Sequence, residues 1–172
     1  MSEMTSTALA RIDVAVVVER RKAKSPWLDF VWRPIAVLAG LPDVAPWTVL
    51  SQERDVAAFY AGPAEIALYR SEAENYRRNL AADAPAVWVA LAASGGAVPY
   101  EVSAVTADPA EGEGLTEPGQ AFVEAVPMPD AVREAIAAFV ATCPPEPQFT
   151  KRKRDRADPE ALARRGSRFG KP

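Results

Sequence analysis

Residues 27–50, WLDFVWRPIAVLAGLPDVAPWTVL, are expected to be the centre of the fold and hold three of the four tryptophans of the chain. Two apolar runs in this stretch are rich in strand-forming residues, and Gly40-Leu41-Pro42-Asp43 between them has the composition of a turn. Pro34 cannot donate a hydrogen bond to a neighbouring strand, so the first run is predicted to be an edge strand or to be bulged there. We therefore expect two strands joined by a Pro/Gly turn, with the rest of the chain organised around them.

The flanking segments add further short strands. Apolar residues alternate from Ile12 to Val18, which predicts a strand, and the charged run 20–24 is interpreted as a polar loop after it. Residues 55–70 are predicted to form a hairpin, because Ala61-Gly62-Pro63 has turn chemistry between two apolar arms. Three more strands are predicted near the middle and end of the chain, at 87–91, 100–106 and 122–126.

Two helices are predicted among these strands. Ser71 and Glu74 have the spacing of a capping box, which predicts a helix start, and Pro85 ends that helix. After Pro129, apolar residues at 132, 136, 139 and 140 form one helical stripe that would face a core. The predicted fold class is α+β, with an antiparallel, strongly bent sheet or partly open barrel, one inserted helix and a C-terminal covering helix.

Charge divides the chain into an acidic body and a basic end. Residues 1–150 carry 11 Lys/Arg and 20 Asp/Glu, a net charge of −9, whereas residues 151–172 carry 9 Lys/Arg and 3 Asp/Glu, a net charge of +6. We expect residues 1–10 to be a flexible N-terminus, residues 11–147 a single α+β domain, and residues 148–172 a basic, disordered tail.

Composition also narrows the chemistry. The chain has no histidine and one cysteine, Cys143, which excludes Ser-His-Asp and Cys-His nucleophile systems and a structural zinc site within one chain. No glycine-rich phosphate-binding motif occurs. We therefore predict no catalytic residues, no metal ligands and no cofactor. The apolar runs fall short of the roughly 20 residues that a membrane span needs, and no secretory signal is visible, so a cytoplasmic location is expected.

The candidate partner-binding residues are aromatic and basic. Each tryptophan of the 27–50 stretch has a structural interpretation, as core or core edge, and a functional one, as a partner contact. Arg33 could bind an anion or peptide, or could pack its stem on a ring. The full candidate set is Trp27, Trp32, Arg33, Trp47, Lys151, Arg152, Lys153 and Arg154.

Several segments together resemble one bacterial family of uncharacterised proteins, whose members are typically encoded beside genes for molybdenum-dependent formate dehydrogenases. The resemblance implies a non-enzymatic accessory or assembly role for such an enzyme, by contact with a protein partner such as a molybdoenzyme subunit. The segments are VAVVVERRKAKSPW (14–27), WRPIAVL (32–38), PWTVL (46–50), AGPAEIALYRSEAENYRRNL (61–80), FVEAVPMPDAVREAIAAFV (122–140) and F-x-KRKRD (149–155).

Two alternatives remain open at this point. The protein could bind a molybdenum cofactor or a nucleotide, since some members of that family carry a label of molybdopterin-guanine dinucleotide synthesis. It could also associate with nucleic acid through its basic tail. A body with a charge of −9 repels a polyanion, so nucleic acid is the less favoured partner.

Overall fold

The computed structural model describes residues 8–116 and 122–145. It contains seven strands and three α-helices in these two ranges. In chain order they are β1 (Ala10–Lys22), β2 (Phe30–Ala39), β3 (Thr48–Glu53), β4 (Val56–Leu68), α1 (Ala73–Leu80), β5 (Ala86–Ala93), β6 (Tyr100–Thr106), α2 (Pro109–Gly114), β7 (Phe122–Pro127) and α3 (Asp130–Ala141). No described helix is long and apolar enough to span a membrane.

The larger sheet is antiparallel and has the order β2-β1-β4-β3. β1 and β4 are its two central strands, and the five residues from Val14 to Val18 are buried. β2 and β3, the two strands predicted from the opening stretch, both form, but they lie at opposite edges of this sheet. The prediction that the chain is organised around the 27–50 stretch is therefore wrong: the long, fully apolar run of β1 occupies the centre.

Pro34 lies in an edge strand that is also bulged, so both alternatives predicted for it are confirmed. Val17 pairs with Ala36 and Val18 pairs with Pro34, which leaves Ile35 as an extra residue in β2. A proline is tolerated at such a site because the missing N–H breaks no regular ladder.

The predicted hairpin at 55–70 is wrong, because β4 runs without a turn from Val56 to Leu68. β1 is long enough to pair with both halves of β4, and that pairing keeps the chain extended. Val16 pairs with Gly62 and Val17 with Tyr60, so the Ala61-Gly62-Pro63 sequence forms a bulge. Gly62 has φ 140°, a conformation that side chains disfavour, which explains why glycine stands there.

The charged run 20–24 is likewise not simply a loop. Arg20, Arg21 and Lys22 belong to β1 and pair with β2, and Arg20 and Arg21 pair with β4 as well. Pairing on both sides of a strand outweighs the weak strand preference of charged residues. The loop begins only at Ala23.

The second sheet is antiparallel with the order β6-β5-β7. It packs on the larger sheet, with β6 beside β4 and β7 beside β2. One hydrophobic core joins both sheets to the helices. The mixed fold with antiparallel sheets and few helices is as predicted. No closed barrel forms within residues 8–116 and 122–145, and the partly open barrel is not confirmed.

The helices cover the core near the ends of the sheets. α1 starts later than predicted: Ser71 lies in a 3-10 turn, and no side chain caps α1, so the capping box does not form. Asn79 of α1 is buried and its side chain bonds backbone groups on either side: it donates to the carbonyls of Ala86 and Ala107, both at 2.8 Å, and accepts from the Ala86 N–H at 3.0 Å.

α3 forms as predicted and buries Val132, Ile136 and Val140. Its C-terminal end is tied to α1 through Arg77. The guanidinium donates to the carbonyl of Val140 at 2.9 Å and to that of Cys143 at 2.6 Å. Val140 lies in the last turn of α3 and Cys143 just beyond it, and the Val140 carbonyl also accepts from the Cys143 N–H at 3.1 Å. Arg77 therefore adds a side-chain cap to the backbone bonds at this end of the helix.

Candidate functional site

Six aromatic side chains from five strands or strand ends form a cluster where the two sheets meet. Trp32 of β2 is its centre, with ring centroids 5.6 Å from Phe59, 5.9 Å from Trp47 and 6.2 Å from Tyr100. These spacings are typical of favourable edge-to-face and tilted ring contacts. We call this set the aromatic cluster: Phe30, Trp32, Trp47, Phe59, Tyr100 and Phe122.

Trp47 reaches the cluster through an unusual backbone conformation. Its φ is 69°, in the left-handed region, and costs on the order of 1 kcal/mol for a residue other than glycine. Two bonds from Thr48 to the Ala45 carbonyl hold the turn, from the hydroxyl at 2.7 Å and from the N–H at 3.2 Å. The Trp47 N–H donates to the carbonyl of Tyr60, which fixes the start of β3 against β4.

Arg20 of β1 lies against the cluster. Its guanidinium carbon is 4.5 Å from the ring centroid of Phe30, 5.3 Å from that of Phe59 and 5.7 Å from that of Trp32. The negative faces of the rings attract the cation. Within residues 8–116 and 122–145, Arg20 has no carboxylate within ion-pair distance.

Arg20 also lines a cavity of about 280 Å³, which we call the Arg20 cavity. One wall is Lys22 and Phe30, and the other is the connection from β3 to β4, residues 52–57. Three cations (Arg20, Lys22 and Arg54) and two carboxylates (Glu53 and Asp55) line it, which gives a net charge of +1. The cavity therefore contains one cation, Arg20, that aromatic rings hold in place, and four further charged side chains line it.

The opposite face of the same strands carries exposed ion pairs. Glu19 lies 3.2 Å from Arg21 and 3.5 Å from Arg33, its cross-strand partner. Because successive side chains alternate across a strand, Arg33 faces away from Trp32 and the aromatic cluster. Ion pairs of such exposed arginines contribute little stability. Arg33 lies on an open, mostly basic surface together with Lys22 and Lys24.

The structure separates the predicted candidates. Trp32 and Trp47 are half-buried in the aromatic cluster, in agreement with the core-edge interpretation. Trp27 is 90% exposed in the loop between β1 and β2, so its interpretation as a core residue is wrong. The candidates Lys151, Arg152, Lys153 and Arg154 lie outside the described residues, as does the whole predicted tail, 148–172.

Sequence analysis missed Arg20 and the four other rings of the cluster. Arg20 was assigned to a loop, although it follows Val18 at the two-residue spacing of one strand face. Extending that alternation into the charged run would have found it. The rings of Phe59, Tyr100 and Phe122 come from distant strands, and no local pattern brings them together.

A second cavity, of about 470 Å³, is acidic and is lined by Tyr69, Ser71, Glu72, Asp108, Ala110 and Glu111. Asn75 donates to Glu72 at 3.0 Å and to Asp108 at 3.1 Å, and Thr106 donates to Glu111 at 2.6 Å. Asp108 also caps α2. These carboxylates hold α1 and α2 in place. No group of three or more Cys, Asp or Glu suited to a metal ion occurs in the described part of the chain.

Tyr76 lies behind this acidic cavity and is almost completely buried. The pKa of Tyr76 is raised to about 12. Burial is the main cause, the charges of Asp108, Glu72 and Glu111 add to the rise, and the hydrogen bond from the Tyr69 N–H opposes it. The phenol therefore stays protonated and neutral at physiological pH and accepts that bond.

Comparison of the sequence with curated proteins and with solved structures gave no significant match. A comparison with models of protein families matches residues 13–154, from the start of β1 to beyond the end of α3, to the family described as protein of unknown function (DUF3305). This match covers both sheets and all the residues of the aromatic cluster, and the chain therefore belongs to the DUF3305 family.

Proposed function

We propose that the protein is a non-enzymatic accessory or assembly factor that acts by protein–protein contact. One observation carries this proposal: of the ten large apolar side chains that are exposed in the described residues, nine lie between residues 27 and 50. They are Trp27, Leu28, Phe30, Val31, Leu38, Leu41, Val44, Val49 and Leu50. Exposed apolar side chains that adjoin one another are typical of interaction surfaces, whereas scattered ones are not. Phe30 and Val31 are neighbours in the edge strand β2, and Val49 and Leu50 are neighbours in the edge strand β3.

The placement of this segment favours a protein as the ligand. It runs along β2 at one edge of the larger sheet, crosses to the other side, and forms β3 at the opposite edge. Among the strands of the described ranges β3 pairs only with β4, and five of its six residues are exposed. An edge strand with Val49 and Leu50 exposed and without lysine or proline can receive a partner strand or an apolar surface.

A molybdenum-dependent formate dehydrogenase is the enzyme that we propose it serves, with one of its subunits as the partner. This part rests on the family resemblance of the sequence segments. A molybdenum cofactor or nucleotide is the second candidate ligand, because three cations line the Arg20 cavity and could bind phosphate. Such a ligand should raise the melting temperature at saturation, and the absence of any shift would reject it.

Affinity capture from the native host tests the proposal with a matched pair of variants. Leu28 and Leu9 are the same residue type with nearly the same exposure, 59% and 58%, but only Leu28 belongs to the apolar segment. Leu28→Ser should reduce capture of a formate dehydrogenase subunit several-fold, whereas Leu9→Ser should not. Both variants should keep the wild-type melting temperature, since neither side chain is buried.

A third sample, which lacks residues 151–172, measures the contribution of the basic end. Because that contribution is electrostatic, the truncated protein should capture less partner than the full chain at low salt and the same amount at high salt. Equal capture by the Leu28 and Leu9 variants would reject the apolar segment as the contact surface. Capture of nucleic acid, with an affinity that falls steeply with salt, would favour the nucleic-acid alternative instead.

A further inference from the structure

We infer that the Arg20 cavity binds a carboxylate side chain, an aspartate or glutamate that a partner polypeptide presents. The inference deepens the proposed contact function and rests on it for the polypeptide nature of the ligand. The structural basis is a cation fixed by three rings, without an acidic partner in the described residues, at the wall of a small cavity.

Arg20 is suited to this role because it is held in place but not neutralised. The rings of Phe30, Trp32 and Phe59 contact its guanidinium, and arginine is most often found with a carboxylate when it is removed from solvent. A guanidinium that is already ordered loses little side-chain freedom when a ligand binds. Its fork of N–H groups matches the two oxygens of a carboxylate.

The size of the cavity limits the ligand. About 280 Å³ lies at the lower limit of the range of about 300–1,000 Å³ that is usual for sites of small molecules and cofactors. A single side chain is the better fit. Around the mouth, Phe30 belongs to the exposed apolar segment, so residues next to the carboxylate could pack on Phe30 while the carboxylate contacts Arg20.

The charges favour a monoanion over a phosphate. Glu53 and Asp55 line the cavity with Arg20, Lys22 and Arg54, which reduces the net charge to +1. A phosphate group carries about −1.5 to −2 at neutral pH and would be repelled more strongly by the two carboxylates. A carboxylate carries a single charge and matches the net charge of the cavity.

Titration of the full-length protein with short peptides tests this inference without any host partner. The probes are a terminally blocked peptide with one glutamate between leucine and tryptophan, the same peptide with glutamine, a glutamine peptide with a free C-terminal carboxylate, and inorganic phosphate. The readout is the indole N–H resonance of Trp32 in ¹⁵N-labelled protein, assigned with a Trp32→Phe variant.

The blocked glutamate peptide should shift this resonance saturably and bind about tenfold more tightly than its glutamine counterpart, the difference expected for one charge-assisted pair. Arg20→Gln should abolish the difference. Arg11→Gln, a variant of an exposed arginine at the other end of β1, should leave it unchanged. Arg54→Gln should weaken binding by about two- to threefold and keeps the test valid if Arg20→Gln does not fold.

Equal binding of the glutamate and glutamine peptides, or no saturable shift at a peptide concentration of about 10 mM, would overturn the inference. Tighter binding of phosphate than of the glutamate peptide would overturn it in favour of a phosphate site. Tighter binding of the peptide with a free C-terminal carboxylate than of the blocked glutamate peptide would show that the cavity binds a chain end. That result would overturn the inference that the ligand is a side chain. A negative titration with successful affinity capture would leave the proposed function standing, so the two failures can be told apart.

Discussion

The contact between α2 and β5 provides a sharp test of the core packing. Gly112 is buried against Trp88, and a Cβ atom added at Gly112 would lie within 2.7 Å of the indole atoms Cγ, Cδ1 and Cδ2. At Gly114, two residues later in the same helix, an added Cβ would meet nothing within 4 Å. Gly112→Ala and Gly114→Ala therefore make the same chemical change in the same helix and differ only in steric contact.

Both substitutions gain helix propensity, by up to about 1 kcal/mol per residue. Gly112→Ala must also displace a bulky ring or the helix, and overpacking of this kind typically costs about 1–3 kcal/mol. We therefore expect the free energy of unfolding of the Gly112 variant to lie about 1–3 kcal/mol below that of the Gly114 variant. Because Gly114 is the last residue of α2 and gains no more helix propensity than Gly112, this difference is a lower limit on the steric cost at Gly112.

Urea denaturation followed by far-UV circular dichroism measures both variants, with the slope against urea concentration checked for equality. Equal stability of the two variants, or a more stable Gly112 variant, would refute the close approach of α2 to Trp88. It would also contradict the positions of Asp108 and Glu111 at the acidic cavity, since α2 and its N-cap place both residues there.

Three further predictions concern α1. Tyr76→Phe should flatten the alkaline limb of the plot of melting temperature against pH. Because the pKa is raised from 10.0 to about 12, the folded state keeps a proton that the unfolded chain releases. In the wild type, stability that is present below pH 10 is therefore lost as pH rises through about 12, by up to about 2–3 kcal/mol. An unchanged limb would contradict the buried phenol. Asn79→Leu removes the side-chain partner of the buried Ala107 carbonyl and of the half-buried Ala86 carbonyl and N–H, and should cost at least about 3 kcal/mol in urea unfolding. Asn75→Leu should cost less, about 1–2 kcal/mol, because the carboxylates of Glu72 and Asp108 line a cavity and can be hydrated. Arg77→Met removes the cap of α3 and should speed hydrogen exchange in its last turn, with the exposed Arg78→Met as the unaffected control.

Local patterns were enough to find most of the elements of this fold. The spacing of Val132, Ile136 and Val140 predicts α3, and all three residues are buried. Pro34 predicts an edge position or a bulge for β2, because a missing donor has the same effect in any fold, and β2 has both features. These features depend on backbone chemistry or on a single helical face, and a sequence window of a few residues contains the information for both.

Features that depend on distant partners were not predictable in the same way. Gly62 with its neighbours has the composition of a turn, and only pairing with a strand nearly 50 residues earlier keeps that segment extended. The same pairing places Arg20 within a strand. The candidate site was the least predictable part, because Trp32 and Trp47 contact rings of β4 and β6, which are distant in the sequence.

The central position of β1 has a consequence for synthesis of the protein. β1 is made first, pairs early with β2, and waits for its second neighbour, β4, whose last residue lies 46 positions after the end of β1. At roughly 5–20 residues per second, a ribosome takes about 2 to 9 s to cover that distance. Throughout this interval the nascent chain presents Val14–Val18 with one unpaired side, so a pause in translation before Leu68 prolongs the exposure of an apolar strand to aggregation.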